Sequence, residues 1–202
     1  MARLNKVILV GLTLASMVGA AEAHTGVGST IGFTHGFLHP LSGIDHMLAM
    51  IAVGLFAARL GGRALWLVPC AFVAMMAVGG FLGINGVEVP FVEIGIAASV
   101  LVLGAAVAFD FSIPTAAAMA LVGFFAIFHG HAHGAEMPQT ADGLTYGIGF
   151  ILATALLHVV GISLGLSIAH LATKQGSSWS MRVAGAAMAL AGVGLMTGWL
   201  QA

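Results

Sequence analysis

The stretch that decides the fold reads ALWLVPCAFVAMMAVGGFLG, residues 64–83. It carries no charged side chain over about 20 residues, the length a helix needs to cross the hydrocarbon core of a bilayer. Five further stretches are predominantly apolar over similar lengths, so the sequence predicts six spanning helices. Their expected bounds are Leu41–Leu60, Ala64–Gly83, Phe91–Asp110, Pro114–His133, Leu144–Leu171 and Arg182–Leu200.

The composition is typical of a chain surrounded by membrane lipid. Hydrophobic residues make up 60% of the 202 positions and charged residues 6%, with a mean hydropathy of +1.09. A soluble domain carries about 25% charged residues. The net charge of −1 argues against nucleic acid as a partner, because binding it requires a clustered basic surface. The single cysteine, Cys70, excludes a disulfide or a Cys-based zinc site within one chain.

Residues 1–23 are predicted to be a cleavable signal peptide. Arg3 and Lys6 precede an apolar run, Val7–Gly19, that is short for a spanning helix. Ala21-Glu22-Ala23 then matches the small-x-small pattern that signal peptidase cuts. Cleavage would leave residues 24–202 as one all-α, six-helix transmembrane domain whose N-terminus lies in the periplasm. An uncleaved first anchor helix is the alternative.

Basic residues orient the predicted spans in the bacterial inner membrane. Arg59 and Arg63 flank the first connection, and Lys174 and Arg182 flank the fifth. Lys and Arg next to spans favour the cytoplasm. Both connections are cytoplasmic if the mature N-terminus lies outside, as the signal peptide also requires. We therefore expect a multi-pass protein with both termini in the periplasm.

The first polar cluster reads HGFLHPLSGIDH, residues 35–46, and contributes His35, His39, Asp45 and His46. Pro40 suits the first turn of a helix, where its missing N–H costs nothing. On one helix beginning there, His39 and His46 would point in nearly the same direction. Asp45 would lie to one side, able to bind a metal or to hold an imidazole.

The second polar cluster reads FHGHAHGAE, residues 128–136, at the end of the fourth predicted span. In a helix, His129, His133 and Glu136 share one stripe, whereas His131 points away from it. The first cluster begins span one and the second ends span four, so both fall at the periplasmic side. Imidazoles and carboxylates converging there would suit Ni²⁺, Co²⁺, Zn²⁺ or Cu²⁺.

Two further residues are candidates for the same pathway. His158 lies near the middle of the fifth predicted span, where an ionisable group is a functional candidate by default. It could be the next ligand below the outer site, or a neutral histidine hydrogen-bonded between helices. Glu93 begins the third span on the outer side and could line the entrance.

These residues give the sequence a clear resemblance to the HupE/UreJ family of nickel and cobalt permeases. The family pattern HPxxGxDH matches residues 39–46, and FHGx[AV]HGxE matches residues 128–136. The resemblance implies secondary transport of Ni²⁺ as cargo, no tightly bound cofactor, no enzymatic activity, and a link to hydrogenase or urease maturation. It also implies six functional residues: His39, Asp45, His46, His129, His133 and Glu136.

Other functions lead to different expectations. The chain has no GxxxxGK[ST] pattern, so we expect no ATP hydrolysis by this polypeptide. An intramembrane zinc hydrolase would use three histidines and Asp45 to hold zinc, with Ser42 nearby and an open position for water. A membrane metal sensor or accessory subunit is a third possibility, although no sizeable cytoplasmic domain is evident in the sequence.

Overall fold

The computed structural model describes residues 29–137, 142–175 and 179–200. The predicted signal peptide, residues 1–23, lies outside them. Over these ranges the chain forms seven helices and no strand, in agreement with the predicted all-α class. The helices are α1 (Ser29–Ser42), α2 (Ile44–Leu60), α3 (Ala64–Ile84), α4 (Val92–Ala108), α5 (Thr115–Ala135), α6 (Gly143–Gln175) and α7 (Trp179–Met196).

The lengths and composition of these helices are those of a multi-pass membrane protein. Four segments are long and apolar enough to span a bilayer: Ala64–Ile84, Thr115–Ala135, Gly143–Leu171 and Trp179–Met196. Helices α1 and α2 pass the same test jointly as a fifth, broken span bent by 81°. Helix α4, at the predicted third span, is shorter, with 17 residues, or about 26 Å. The described residues thus hold four or five candidate spans.

The prediction that a helix begins at Pro40 is wrong. Helix α1 continues through Pro40 to Ser42, and the break falls at Gly43, whose backbone is extended with φ −95° and ψ 121°. Pro40 lies in the last turn of α1 and has no N–H to donate to the carbonyl of Gly36, so it weakens the helix just before the break. There the Ser42 hydroxyl donates to the His39 carbonyl at 2.7 Å and satisfies one of the open helix-end acceptors. His39 and His46 therefore lie on two helices.

Helix α2 lies centrally and contacts each of the other six described helices. Around it, α3 packs along α5, α4 packs along α7, and α6 packs against both α1 and α2. Glycines allow the closest of these approaches. A Cβ atom added to Gly79 of α3 would lie 2.2 Å from the Ile127 carbonyl oxygen of α5. One added to Gly104 of α4 would lie 2.4 Å from the Ala189 nitrogen of α7.

Polar contacts near the helix ends hold the connections. The Arg59 guanidinium pairs with the Asp110 carboxylate, and Arg182 Nε donates to the Ala108 carbonyl at 3.1 Å. Asp142 precedes α6 and accepts a hydrogen bond from the Thr145 backbone N–H at 2.8 Å. That bond holds the pKa of the Asp142 carboxyl below its usual value.

Candidate metal centre

The broken helix pair α1–α2 meets the C-terminal end of α5. The His39 ring lies 4.7 Å, and the His46 ring 4.3 Å, from the ring of His133, measured between centroids. The His46 ring also lies 5.3 Å from that of His129. The predicted convergence of the two polar clusters is therefore observed, although it is the helix break that brings His39 and His46 together.

His46 is held by its neighbour Asp45 in one orientation and one tautomer. Asp45 Oδ1 lies 2.8 Å from His46 Nδ1 and accepts the backbone N–H of His46 at the same distance. An ionised carboxylate only accepts hydrogen bonds, so Nδ1 carries the proton. His46 Nε2 is buried and has no hydrogen-bond partner among the described residues. Its lone pair is thus left available.

His129 is held in one tautomer by a backbone carbonyl, as His46 is by Asp45. Its ring is fully buried, and its Nδ1 lies 3.1 Å from the carbonyl oxygen of Phe125, one turn earlier on α5. Nδ1 must donate this bond, because a carbonyl cannot. His129 Nε2 is buried and unpartnered within the described part of the chain. Two imidazoles whose centroids are 5.3 Å apart therefore each keep a buried Nε2 lone pair.

His133 contacts His46 of this pair and also belongs to an outer group, which it forms with His39 and Glu136. Both of its ring nitrogens are buried without a partner among the residues described. His39, His133 and Glu136 each offer one ligand atom, and these atoms lie within 4.8 Å of one another. His39 Nε2 and Glu136 Oε2 are 3.2 Å apart. Nitrogen and carboxylate oxygen donors in this arrangement suit a borderline divalent transition metal.

His158 belongs to another helix and lies in the middle of α6. Its side chain is 1% exposed, and neither ring nitrogen has a hydrogen-bond partner in the described ranges. The fully buried ring of Phe72 on α3 contacts both His158 and His129. The Phe72 centroid is 5.1 Å from the His158 ring and 5.4 Å from the His129 ring.

Three other polar residues lie outside this cluster: His35, Glu93 and His131. His35 on α1 and Glu93 in the first turn of α4 are exposed, and no contact between either side chain and the four clustered histidines is observed. His131 Nε2 donates to the Val87 carbonyl at 2.7 Å, so it faces the α3–α4 connection. The prediction that His131 points away is thus confirmed.

Sequence reasoning missed two aromatic residues at the site. Phe72 is one of twelve phenylalanines, and no sequence signal distinguishes it. Tyr146 of α6 is the only tyrosine in the chain, which is a signal that could have identified it. Its ring lies 6.3 Å from that of His39, and its hydroxyl is buried without a hydrogen-bond partner among the described residues.

Comparison with known proteins agrees with the motifs. No solved structure matches the chain. This chain is 48% identical over 187 residues to Protein HupE of Rhizobium leguminosarum bv. viciae. The match covers 92% of this chain and 96% of that protein. The family described as HupE / UreJ protein matches residues 12–195, which include every helix described above except the last residue of α7. The chain therefore belongs to the HupE/UreJ family.

Proposed function

We propose that this protein takes up a divalent transition metal ion, most favourably Ni²⁺, across the bacterial inner membrane. In this proposal the clustered histidines, Asp45 and Glu136 capture the ion on the periplasmic side, and His158 receives it inside the membrane. The observation that carries the proposal is that His46 and His129 both donate through Nδ1 and keep a buried Nε2 without a partner among the described residues.

Buried polar atoms in folded proteins nearly always have hydrogen-bond partners. A cluster of unpartnered imidazole nitrogens is therefore costly unless it binds something. Histidines that ligate metals almost always donate their other ring N–H to a carboxylate or a backbone carbonyl. The Asp45–His46 pair and the Phe125–His129 pair have these two arrangements.

The break between α1 and α2 supports transport of a cation. Discontinuous helices are typical of transporters, where helix C-terminal ends and irregular backbone surround the coordinating ions. His39 stands in the last turn of α1, at the negative end of the helix dipole, which attracts cations. Asp45 follows at the start of α2. The break thus places carbonyl, imidazole and carboxylate groups together.

The donor set is compatible with nickel and does not exclude cobalt, zinc or copper. Imidazole and carboxylate ligands accept Ni²⁺, Co²⁺, Zn²⁺ and Cu²⁺, while the family resemblance favours nickel. The ion is cargo rather than a resident cofactor. A link to hydrogenase or urease maturation follows from the same resemblance and is part of this proposal.

The proposed topology has six spans and both termini in the periplasm. It counts the pair α1–α2 as one broken span and the 17-residue helix α4 as a short one. Residues 1–23 act as the signal peptide. Under this topology the α1–α2 break and the C-terminal end of α5 both face the periplasm, and Arg59, Arg63 and Arg182 face the cytoplasm.

Transport fits the site better than zinc-dependent hydrolysis does. A hydrolase would use Ser42 or an activated water near the metal. Ser42 is exposed, and its hydroxyl donates to the carbonyl of His39. His158 is buried in the middle of α6 and has no role in hydrolysis at the outer cluster. It does have a role in moving an ion inward.

The test is uptake of Ni²⁺ into proteoliposomes that contain the mature protein, with Co²⁺ and Zn²⁺ as competitors. His46→Ala should abolish uptake because it removes a central ligand. His131→Gln is the matched control, since His131 lies on the same helix as His129 but faces the α3–α4 connection, and it should leave uptake unchanged. Tightly bound metal with no influx by the unmodified protein would refute transport and favour the hydrolase.

A further inference from the structure

Tyr146 is a buried polar residue to which neither the motifs nor the family patterns assign a role. Its side chain is 5% exposed, and its hydroxyl has no hydrogen-bond partner among the described residues. A buried hydroxyl without a partner costs free energy. The position is informative because this tyrosine is the only one in the chain.

The backbone of Tyr146 is fixed at the crossing of α1 and α6. A Cβ atom added to Gly36 would lie 2.0 Å from the Tyr146 carbonyl oxygen, so the two helices touch there through their main chains. The Tyr146 ring is nearly parallel to that of Phe150, at 5° and 6.5 Å. Phe150 in turn lies 4.0 Å from the His133 ring. The phenol is thus held beside the outer group of ligands.

Glu136 is the ligand in that group that most needs positioning. It follows the last residue of α5, and its side chain is 57% exposed. One carboxylate oxygen, Oε2, lies 3.2 Å from His39 Nε2, and no hydrogen bond to the other oxygen is observed within the described part of the chain. The Tyr146 ring lies 6.3 Å from the ring of the same His39, so the phenol and the carboxylate are neighbours of one imidazole. A phenol donor and a free carboxylate oxygen are complementary.

The other surroundings of Tyr146 offer one competing acceptor for its hydroxyl, a ring nitrogen of His133. The residue lines a cavity of about 210 Å³ between α3, α5 and α6. Apart from His133 and Tyr146, the side chains around this cavity are apolar or absent, as at Gly80, Gly130 and Gly147. When His133 binds a metal through one nitrogen and carries a proton on the other, it no longer accepts a hydrogen bond. The Glu136 carboxylate is then the acceptor that best matches the phenol.

We propose that the Tyr146 hydroxyl donates a hydrogen bond to the Glu136 carboxylate when a divalent metal ion binds, and so positions Glu136 as a ligand beside His39 and His133. This inference rests on the proposed function, because it assumes that the outer group binds metal. Tyr146 is a positioning residue, which acts on the ion through Glu136.

The test measures Ni²⁺ affinity of the detergent-solubilised protein by calorimetry, in a double-mutant cycle of Tyr146→Phe and Glu136→Gln. Tyr146→Phe keeps the ring and removes only the hydroxyl. Loss of a partner that orients a ligand weakens metal binding about 10- to 100-fold. We expect Tyr146→Phe to cause such a loss of affinity when Glu136 is present. In the Glu136→Gln background it should change the affinity less than about twofold, because the effects of coupled residues are not additive. Ser99→Ala, which removes a buried hydroxyl on α4, is the control and should leave the affinity unchanged.

A spectroscopic readout separates positioning from a general structural effect. Protein labelled with ¹³Cζ-tyrosine gives one tyrosine signal, because the chain has one tyrosine. Diamagnetic Zn²⁺ should move this signal in the unmodified protein, and by much less in the Glu136→Gln variant. Equal affinity losses in both backgrounds, or an unmoved signal, would overturn the inference. Metal binding without influx into liposomes would refute the proposed function alone, since the affinities still decide the role of Tyr146.

Discussion

At the scale of single residues, the geometry of the candidate centre depends on groups that fix the orientation and tautomer of its histidines. Asp45 accepts both the backbone N–H and the imidazole Nδ1–H of His46 through one oxygen. This carboxylate fixes the tautomer and the ring orientation, and its negative charge makes His46 a stronger ligand. The sequence pair Asp45-His46 thus acts as a unit.

We predict that Asp45→Asn weakens Ni²⁺ binding by about 10- to 100-fold, because an amide is a poorer acceptor for the imidazole N–H than a carboxylate. Calorimetric titration of the purified protein measures this change. Asp142→Asn provides the control. Asp142 lies outside the centre, and asparagine caps a helix about as well as aspartate. Equal affinities for Asp45→Asn and the unmodified protein would show that His46 needs no carboxylate.

His158 supports a second prediction at this scale. If the passing ion binds His158, His158→Gln should slow Ni²⁺ uptake about tenfold or more, since losing about 1.4 kcal/mol of stabilisation at the rate-limiting barrier has that effect. The equilibrium affinity of the outer cluster should stay within about twofold. Uptake assays and calorimetry on the same preparation measure both quantities. Normal uptake by this variant would place the ion's route elsewhere.

At the scale of elements, close helix packing positions the candidate ligands. Helices α3 and α5 approach closely enough that glycine is required at several contacts, and α5 carries His129 and His133 at its C-terminal end. Phe72 on α3 contacts the His129 ring from the same interface. A shift of α5 along α3 would therefore move two candidate ligands at once.

We predict opposite effects for two glycine-to-alanine substitutions in helices. Gly79→Ala should lower the thermal unfolding midpoint in detergent, because its Cβ would meet the Ile127 carbonyl oxygen at 2.2 Å and overpacking costs about 1–3 kcal/mol. Gly147→Ala should keep or raise the midpoint, because nothing lies within 4 Å of its added Cβ and alanine favours a helix by about 1 kcal/mol. Equal midpoints would contradict the packing of α3 on α5.

The helix break shows where sequence patterns stop being informative. Proline before an apolar run usually begins a helix, so the sequence around Pro40 predicts one helix from there. In the structure, an additional helix, α1, packs on α6 and carries Pro40 in its last turn. That packing depends on contacts such as Gly36 with Tyr146, which are far apart in sequence and have no local signature.

At the scale of the whole molecule, the predicted alternation of the spans places both motifs on the same side of the membrane. An odd-numbered span that begins outside and an even-numbered span that ends outside share one face of the membrane. This reasoning predicted the proximity of His46 and His133, whose rings are 4.3 Å apart. Alternation fixes depth but not lateral position. For that reason it did not show that the Glu93 side chain is exposed, or that Phe72 contacts both His129 and His158.

The proposed topology also predicts how the membrane potential acts on uptake. Moving a divalent cation inward through 100 mV is worth about 4.6 kcal/mol, because each elementary charge contributes about 2.3 kcal/mol. This free energy supports accumulation of about three decades, at about 1.4 kcal/mol per decade. In proteoliposomes with a potassium gradient and valinomycin, Ni²⁺ influx should therefore rise as the interior becomes more negative. His46→Ala liposomes measure the leak. Influx that does not respond to the imposed potential would mean that charge is balanced during transport, by protons moving outward or anions moving inward.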